Sequence, residues 1–194
     1  MLEKFNANAE WFNPPQQYQK GEDWLTLTTD PETDFWQRTH YGFQRHNGHA
    51  FLRPLLPDFS FSLCTDFVPV GLYDQCGVMI LVDADNWVKA AIEYDNPAYS
   101  RLGSVVTNLG YSDWATTDVS SDIRRMYYRL SRKGQDFLLE TSADGDTFQQ
   151  LRIFHLHADL AQAKFGLYAC SPGEETFSVR FSGLKLEPSR WTDE

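Results

Sequence analysis

A strict two-residue period constrains this chain more than any other feature. In "NWVKAAIEYDN", Val88, Ala90, Ile92 and Tyr94 alternate with Trp87, Lys89, Ala91 and Glu93. Successive side chains of a β-strand point to opposite faces, so this period predicts a strand. The first set reads as a core face. The second puts an indole, an ammonium and a carboxylate in one row, which is unusual for a plain solvent face.

The same pattern recurs at short, even spacing. In "DFSFSLCTDF", Phe59, Phe61, Leu63 and Phe67 oppose Ser60, Ser62, Cys64 and Asp66. "YDQCGVMILV" follows, then the loop "DADN". "LGSVVTNLGYS" predicts one further strand. "MYYRLSR", "FLLETS" and "FQQLRIFHL" predict a three-stranded meander, with Asp144-Gly145 supplying the positive φ of a tight hairpin. "HADLAQA" predicts a single helical turn before the strand "KFGLYACS". In "TFSVRFSGLKLE", Phe177, Val179 and Phe181 share a face but Leu184 and Leu186 break the parity, so Gly183 predicts a bulge. About ten to twelve antiparallel strands with almost no helix predict an all-β sandwich or jelly roll. No linker or repeat divides residues 1–194, and one domain is expected.

Bulk properties exclude some functions. Seventeen Lys and Arg against 27 Asp and Glu give a net charge of -10. That average field repels nucleic acid and anionic membranes, so neither is an expected partner. The one basic cluster, Arg124, Arg125, Arg129, Arg132 and Lys133, reads as strand-end charge. No apolar run reaches membrane-spanning length, and the N-terminus lacks a secretory pattern. Cys64, Cys76 and Cys170 read as reduced, buried thiols, which points to a cytoplasmic location.

Several motifs come in a fixed order: "TDFWQRTHYGF", "YDQCGVMI", "NWVKAAIEYDN", "SVVTNLGYSDW", "SADGDTF" and "GLYACSP". From about Trp11 to Glu187 the chain resembles the domain of unknown function family 1349, which includes a fungal regulator-of-enolase protein. The resemblance implies a concanavalin A-like β-sandwich (jelly roll) of two curved antiparallel sheets. That architecture occurs in lectins, laminarinase-type glycosidases and accessory domains of other glycosidases. The family implies no settled activity, so function must be argued from residues.

Lys89 and Glu93 lie about 13 Å apart along a strand and cannot pair with each other. Gln75 and Arg129 are candidate partners for Glu93. Trp87, about 7 Å from Lys89, forms with it a candidate sugar platform of stacking ring and hydrogen-bonding charges. The alternative is an exposed sheet face with ordinary cross-strand pairs. Glu93 and Asp95 resemble the Glu-x-Asp-x-x-Glu of laminarinase-like enzymes, but Ala98 stands at the third acid position. The motifs "DFWQRTHY" and "GYSDW" set Asp34 near Trp36 and Asp113 beside Trp114, pairing ring faces with fixed acceptors. His40, inside the first motif, is placed on the same face.

Metal signals are weaker. Asp83, Asp85 and Asn86 hint at a calcium loop, but Val88 and Tyr94 occupy the positions where an EF-hand needs Gly and Glu. A hairpin turn is the better reading, and a structural calcium has no motif behind it. His155 and His157 share a strand face without an evident further ligand beyond Asp159. No metal site and no cofactor are expected. No nucleophile elbow, phosphate loop or dinucleotide fingerprint occurs.

Three functions remain. The first is a lectin-like module that binds a carbohydrate or small polar metabolite through Trp36, His40, Gln75, Trp87, Lys89, Glu93 and Trp114. The second is a glycosidase-like enzyme using Glu93. The third is a regulatory module that uses the same face for a protein partner.

Overall fold

The structure, a computed structural model, describes residues 5–192. Six short strands come first: β1 (Glu10–Phe12), β2 (Gln17–Lys20), β3 (Leu25–Thr28), β4 (Phe35–Gln37), β5 (Gln44–His46) and β6 (His49–Pro54). The longer strands follow: β7 (Phe59–Phe67), β8 (Gln75–Asp83), β9 (Asn86–Tyr94), β10 (Tyr99–Asn108) and β11 (Tyr111–Ser120). The chain continues with β12 (Arg125–Lys133), β13 (Asp136–Ser142), β14 (Gln149–His155), β15 (Lys164–Cys170) and β16 (Ser178–Pro188). The helical turn expected in "HADLAQA" is a 3-10 turn at Leu160–Gln162, capped by the Asp159 carboxylate.

Two seven-stranded sheets and one two-stranded ribbon result. The front sheet runs β1-β6-β15-β8-β9-β10-β11, the back sheet β14-β13-β12-β7-β16-β3-β2, and β4-β5 forms the ribbon. All the pairings are antiparallel. This is the all-β sandwich that the sequence pattern predicts, and sixteen strands are described rather than ten to twelve. The short ones at the start carry too few residues to show a period.

The alternation in β9 sorts its residues as expected. Val88, Ala90 and Ile92 enter the core between the sheets, with Phe61, Leu63, Tyr128, Phe165 and Leu167. Tyr94 is only partly buried. Phe165 packs its ring tilted against Phe59 and edge-on against Phe61, at centroid distances of 4.3 and 5.3 Å. The Ile92 N–H donates to the Tyr128 hydroxyl, joining the two layers at 2.9 Å. Cys64, Cys76 and Cys170 are buried free thiols.

The other face of the front sheet is also covered. Trp87, Ala91, Val105, Met79, Leu81 and Tyr168 pack there beneath Phe35 and Trp36 of the ribbon. A sheet covered on both sides explains why β9 is buried almost throughout. Contacts at the end of β4 hold the ribbon down. Arg38 donates to the Asp85 carboxylate at 2.9 Å and to the Gly110 carbonyl at 2.8 Å, and the Gln37 N–H donates to the Ser112 hydroxyl at 2.9 Å.

Three local expectations need correcting. "LGSVVTNLGYS" is not one strand, because Leu109 and Gly110, at φ 52° and 78°, turn the chain between β10 and β11. The turn after β13 is a loop rather than a tight hairpin. Gly145 does have φ 83°, but Asp144 organises the loop by accepting the N–H groups of Asp146 and Thr147. Arg129 belongs to the back sheet, where it makes a two-pronged ion pair with Glu140, so it is no partner for Glu93. Gly183 does mark a bulge, with φ 61° and a register shift between Ser182 and Lys185.

Gly77 shows how tightly the front sheet is built. A Cβ there would lie 1.9 Å from the Ala90 carbonyl oxygen, whereas one at Gly173 would meet nothing within 4 Å. Gly77→Ala is expected to cost about 1–3 kcal/mol in urea unfolding, through forced backbone displacement. Gly173→Ala should stay within about 0.5 kcal/mol.

Candidate functional site

The front sheet and the ribbon enclose a pocket of about 300 Å³. Its size is near the lower end of the roughly 300–1,000 Å³ typical of small-molecule sites. Four strands of the front sheet, the ribbon with its approach, and two loops build it. Gln75 starts β8, Lys89 and Glu93 lie on β9, Val105 on β10 and Trp114 on β11. Asp34, Trp36, Tyr41 and Phe43 come from the ribbon and its approach, and Tyr73 and Pro172 from adjoining loops.

Register explains the convergence. Gln75 sits directly opposite Glu93, and Val105 opposite both Lys89 and Trp114. Residues two apart on neighbouring antiparallel strands share a face, so these side chains emerge together. The ribbon adds the opposite wall.

The polar floor is a connected network. Lys89 Nζ donates to Gln75 Oε1 at 2.8 Å and to Asp34 Oδ1 at 3.3 Å. Tyr168 donates its hydroxyl to the same Gln75 oxygen at 3.1 Å, and Gln75 Nε2 donates to the Tyr73 carbonyl at 3.0 Å. Burial works against the charge on Lys89, but the Asp34 and Glu93 carboxyls outweigh it and its pKa is raised. Lys89 therefore stays a cation in the interior, as a buried charge with close partners can.

Glu93 is different. Only 9% of its surface is exposed, and its carboxylate accepts no hydrogen bond from the described residues. Burial pushes its pKa up to about 7, against the opposing pull of Lys89. Arg101 lies directly across the ladder but turns away, binding Asp95 at 2.7 Å. Asp95 is thereby occupied, and the Glu-x-Asp pair does not act as two free carboxyls.

The walls are aromatic. Trp36 meets Trp114 edge-on at 6.3 Å and 83°, and Tyr73 meets Trp114 at 6.5 Å and 85°. Tyr41 touches Trp36 at 5.5 Å and stacks on Phe43 at 6.0 Å. Tyr41 and Phe43 are 55% and 44% exposed, so they form the mouth. The ribbon tip carries left-handed backbone at Arg38, His40 and Gly42, with φ of 56°, 61° and 75°. Such strain in non-glycine residues needs surrounding structure to hold it and clusters at functional sites.

Of the residues expected to line a site, Trp36, Gln75, Lys89, Glu93 and Trp114 line this pocket. Trp87 does not. It is fully buried, donates its indole N–H to the Ala84 carbonyl and packs on Phe35, so its ring is floor beneath the ribbon and not a stacking surface. His40 is exposed at the ribbon tip with its ring against Tyr41, outside the lining. Asp113 pairs instead with Arg152. Tyr41, Phe43, Tyr73 and Pro172 escaped sequence reasoning. The "HYGF" aromatics flanking a glycine were the available signal for two of them.

The other candidates resolve locally. Asp83 accepts the Asp85 N–H and the Asn86 side-chain amide, as a hairpin-turn residue does. His155 contacts His157 at 5.1 Å and pairs with Asp136. Among the described residues no group of three or more His, Cys, Asp or Glu is placed to hold a metal ion. Arg125 pairs with Asp66 across the back sheet, which fits strand charge. A larger groove of about 760 Å³ runs along β2, β3 and β16, but its lining of exposed Gln, Thr and Ser lacks a buried titratable group.

Because Glu93 has a higher pKa folded than unfolded, it favours the fold fully below pH 4.5 and loses that contribution as pH rises through about 7. Between pH 4.5 and 8 the wild type should lose up to about 3 kcal/mol relative to Glu93→Gln in urea unfolding. Parallel pH profiles for the two proteins would contradict this.

Comparison with known proteins agrees with this fold. The chain is 31% identical over 180 residues to "Regulation of enolase protein 1" of Saccharomyces cerevisiae, covering 93% of this chain and 89% of that one. It superposes with a TM-score of 0.87 and 29% identity on a crystal structure of a functionally unknown protein from Saccharomyces cerevisiae, covering 96% of this chain and all of that one. A xylan β-1,4-xylosidase from Bacillus halodurans C-125 shares the fold at 10% identity and a TM-score of 0.63, over 93% of this chain but 39% of the enzyme. No described helix is long and apolar enough to cross a membrane. Residues 11–189 match the family described as protein of unknown function (DUF1349), and the chain belongs to that family.

Proposed function

We propose that the protein is a binding module for a small polar ligand of carbohydrate-like character, held between the front sheet and the ribbon. The observation that carries this reading is an aromatic-walled pocket whose floor presents an unpartnered carboxyl, Glu93, beside the Lys89–Gln75 pair. Ring faces suit the C–H faces of a polyol, and the floor supplies the few placed hydrogen-bonding groups that fix orientation. The sandwich fold shared with a xylosidase chain supports the reading as analogy only.

A second reading is favoured by the Glu93 carboxyl lying near pH 7, where a group can both give and take a proton. It would make Glu93 a general acid or base. A laminarinase-type pair is not available to it, since Asp95 is tied to Arg101 and Ala98 replaces the third acid. The name of the yeast relative supports a regulatory role, with the ligand-bound ribbon offering Tyr41 and Phe43 to a protein partner. Buried reduced thiols support a cytoplasmic setting for any of these.

A thermal-shift panel of neutral and amino sugars, polyols and small amines tests the binding reading. At least one compound is expected to raise the melting midpoint, as any ligand of the folded state does. Tyr41→Ala should leave the unliganded midpoint nearly unchanged, because the ring is 55% exposed, while weakening that compound about fivefold or more. A panel without a single shift contradicts the reading.

A further inference from the structure

The charges lining the pocket are unequal: two carboxylates, Asp34 and Glu93, and one ammonium, Lys89. Lys89 and Asp34 are already engaged with each other at 3.3 Å. Lys89 also serves Gln75, and Asp34 Oδ1 also accepts the Phe35 N–H at 2.7 Å. Glu93 is the acceptor left over. Around it stand Trp36, Tyr41, Phe43, Tyr73 and Trp114.

Ring faces carry negative charge density and attract cations, and they do so more strongly in a desolvated site. An anionic ligand would meet two carboxylates and these ring faces. A neutral ligand would leave Glu93 with no ionic partner beyond the longer-range pull of Lys89 and Arg101. An organic cation answers both features at once. Lys89 does not close the site to it, because Asp34 offsets that charge, and Arg101, whose guanidinium lies 5.9 Å from the Trp114 ring centroid, is itself held by Asp95 and Asp118.

We propose that the ligand of this pocket carries an organic ammonium group, which pairs with the Glu93 carboxylate while its carbon skeleton lies against the aromatic walls. This rests on the reading of the pocket as a ligand site and names the chemical class it takes.

The pairing predicts a pH signature. Glu93 is faced by Lys89 on its own strand, Gln75 on β8, Arg101 on β10 and Asp34 before the ribbon. Tyr168 and Cys170 on β15 and Tyr73 in the β7–β8 loop also face it, Tyr128 on β12 lies beneath the sheet on its other side, and burial raises the pKa of all four so that they stay neutral. With the Glu93 pKa raised to about 7, a cation binds the deprotonated form and expels a proton at lower pH. Affinity should fall about tenfold per pH unit below 7 and level off above it.

Titration calorimetry between pH 5.5 and 8.5 tests this with matched probes: choline against 3,3-dimethylbutan-1-ol, cyclohexylamine against cyclohexanol, and glucose as a neutral sugar. In at least one pair the cation should bind tenfold or more tighter than its neutral twin at pH 8. Its affinity should show the pH dependence above, with binding heats at pH 6 that vary with buffer ionisation. Glu93→Gln should level the pair. The pH series on unaltered protein stands by itself if that variant fails to fold. Glucose or a neutral twin binding as tightly as the cations would overturn the ammonium assignment and leave the ligand-site reading intact. A cation preference that ignores pH and survives Glu93→Gln would overturn the pairing with Glu93. Absence of binding by all five probes would overturn both readings.

Discussion

A lysine ammonium with 4% of its side chain exposed cannot stay charged without partners, and the outer face of the front sheet is organised around that fact. Lys89 finds Gln75 on the neighbouring strand and Asp34 far earlier in the chain. The second contact fixes the approach to the ribbon against the sheet. From there Phe35 covers Trp87, Trp36 meets Trp114, and the ribbon tip reaches Arg38's anchors at Asp85 and Gly110. Removing one partner of such a buried pair typically costs about 3–5 kcal/mol, because the other is left unpaired. Because Lys89 donates to Gln75 and Asp34, Glu93 feels its charge but receives no hydrogen bond from it, and the pocket's chemistry is the chemistry of that carboxyl.

Much of this could be read from local pattern. The alternation of β9 placed Val88, Ala90 and Ile92 inward and Lys89 and Glu93 together on the other face, because a period of two leaves no freedom. Gly183 announced its bulge through the broken parity of Leu184 and Leu186. Trp36 and Trp114 were found through their neighbouring acids, though Asp113 serves Arg152 instead. What stayed hidden depends on contacts distant in sequence. Nothing local says that the ribbon folds back over the sheet, and that covering turns the Trp87 ring from a platform into floor. The Lys89–Asp34 pair spans two motifs read separately. Tyr73 and Pro172 sit in loops without a period to betray their direction.

The fold and the site carry different weights. The sandwich is shared with chains as far apart as 10% identity, and at that distance only architecture is held in common. The site has to be argued from the residues here. A glycosidase of laminarinase type would need two free carboxyls flanking a bond. Among the described residues this pocket offers one, because Asp95 is committed to Arg101 and Asp34 to Lys89. A pocket with one poised acid inside an aromatic box is better suited to recognition than to that two-carboxyl chemistry. Tyr41 and Phe43 stand exposed at its mouth.

Carboxyl-carbon NMR of protein with labelled glutamate measures the central claim directly. The Glu93 signal, assigned by its loss in Glu93→Gln, should titrate near pH 7 in the unliganded protein, set apart from the exposed glutamates. A Glu93 midpoint near 4.5 would mean that the carboxyl is hydrated or paired, and the account of the pocket would fail.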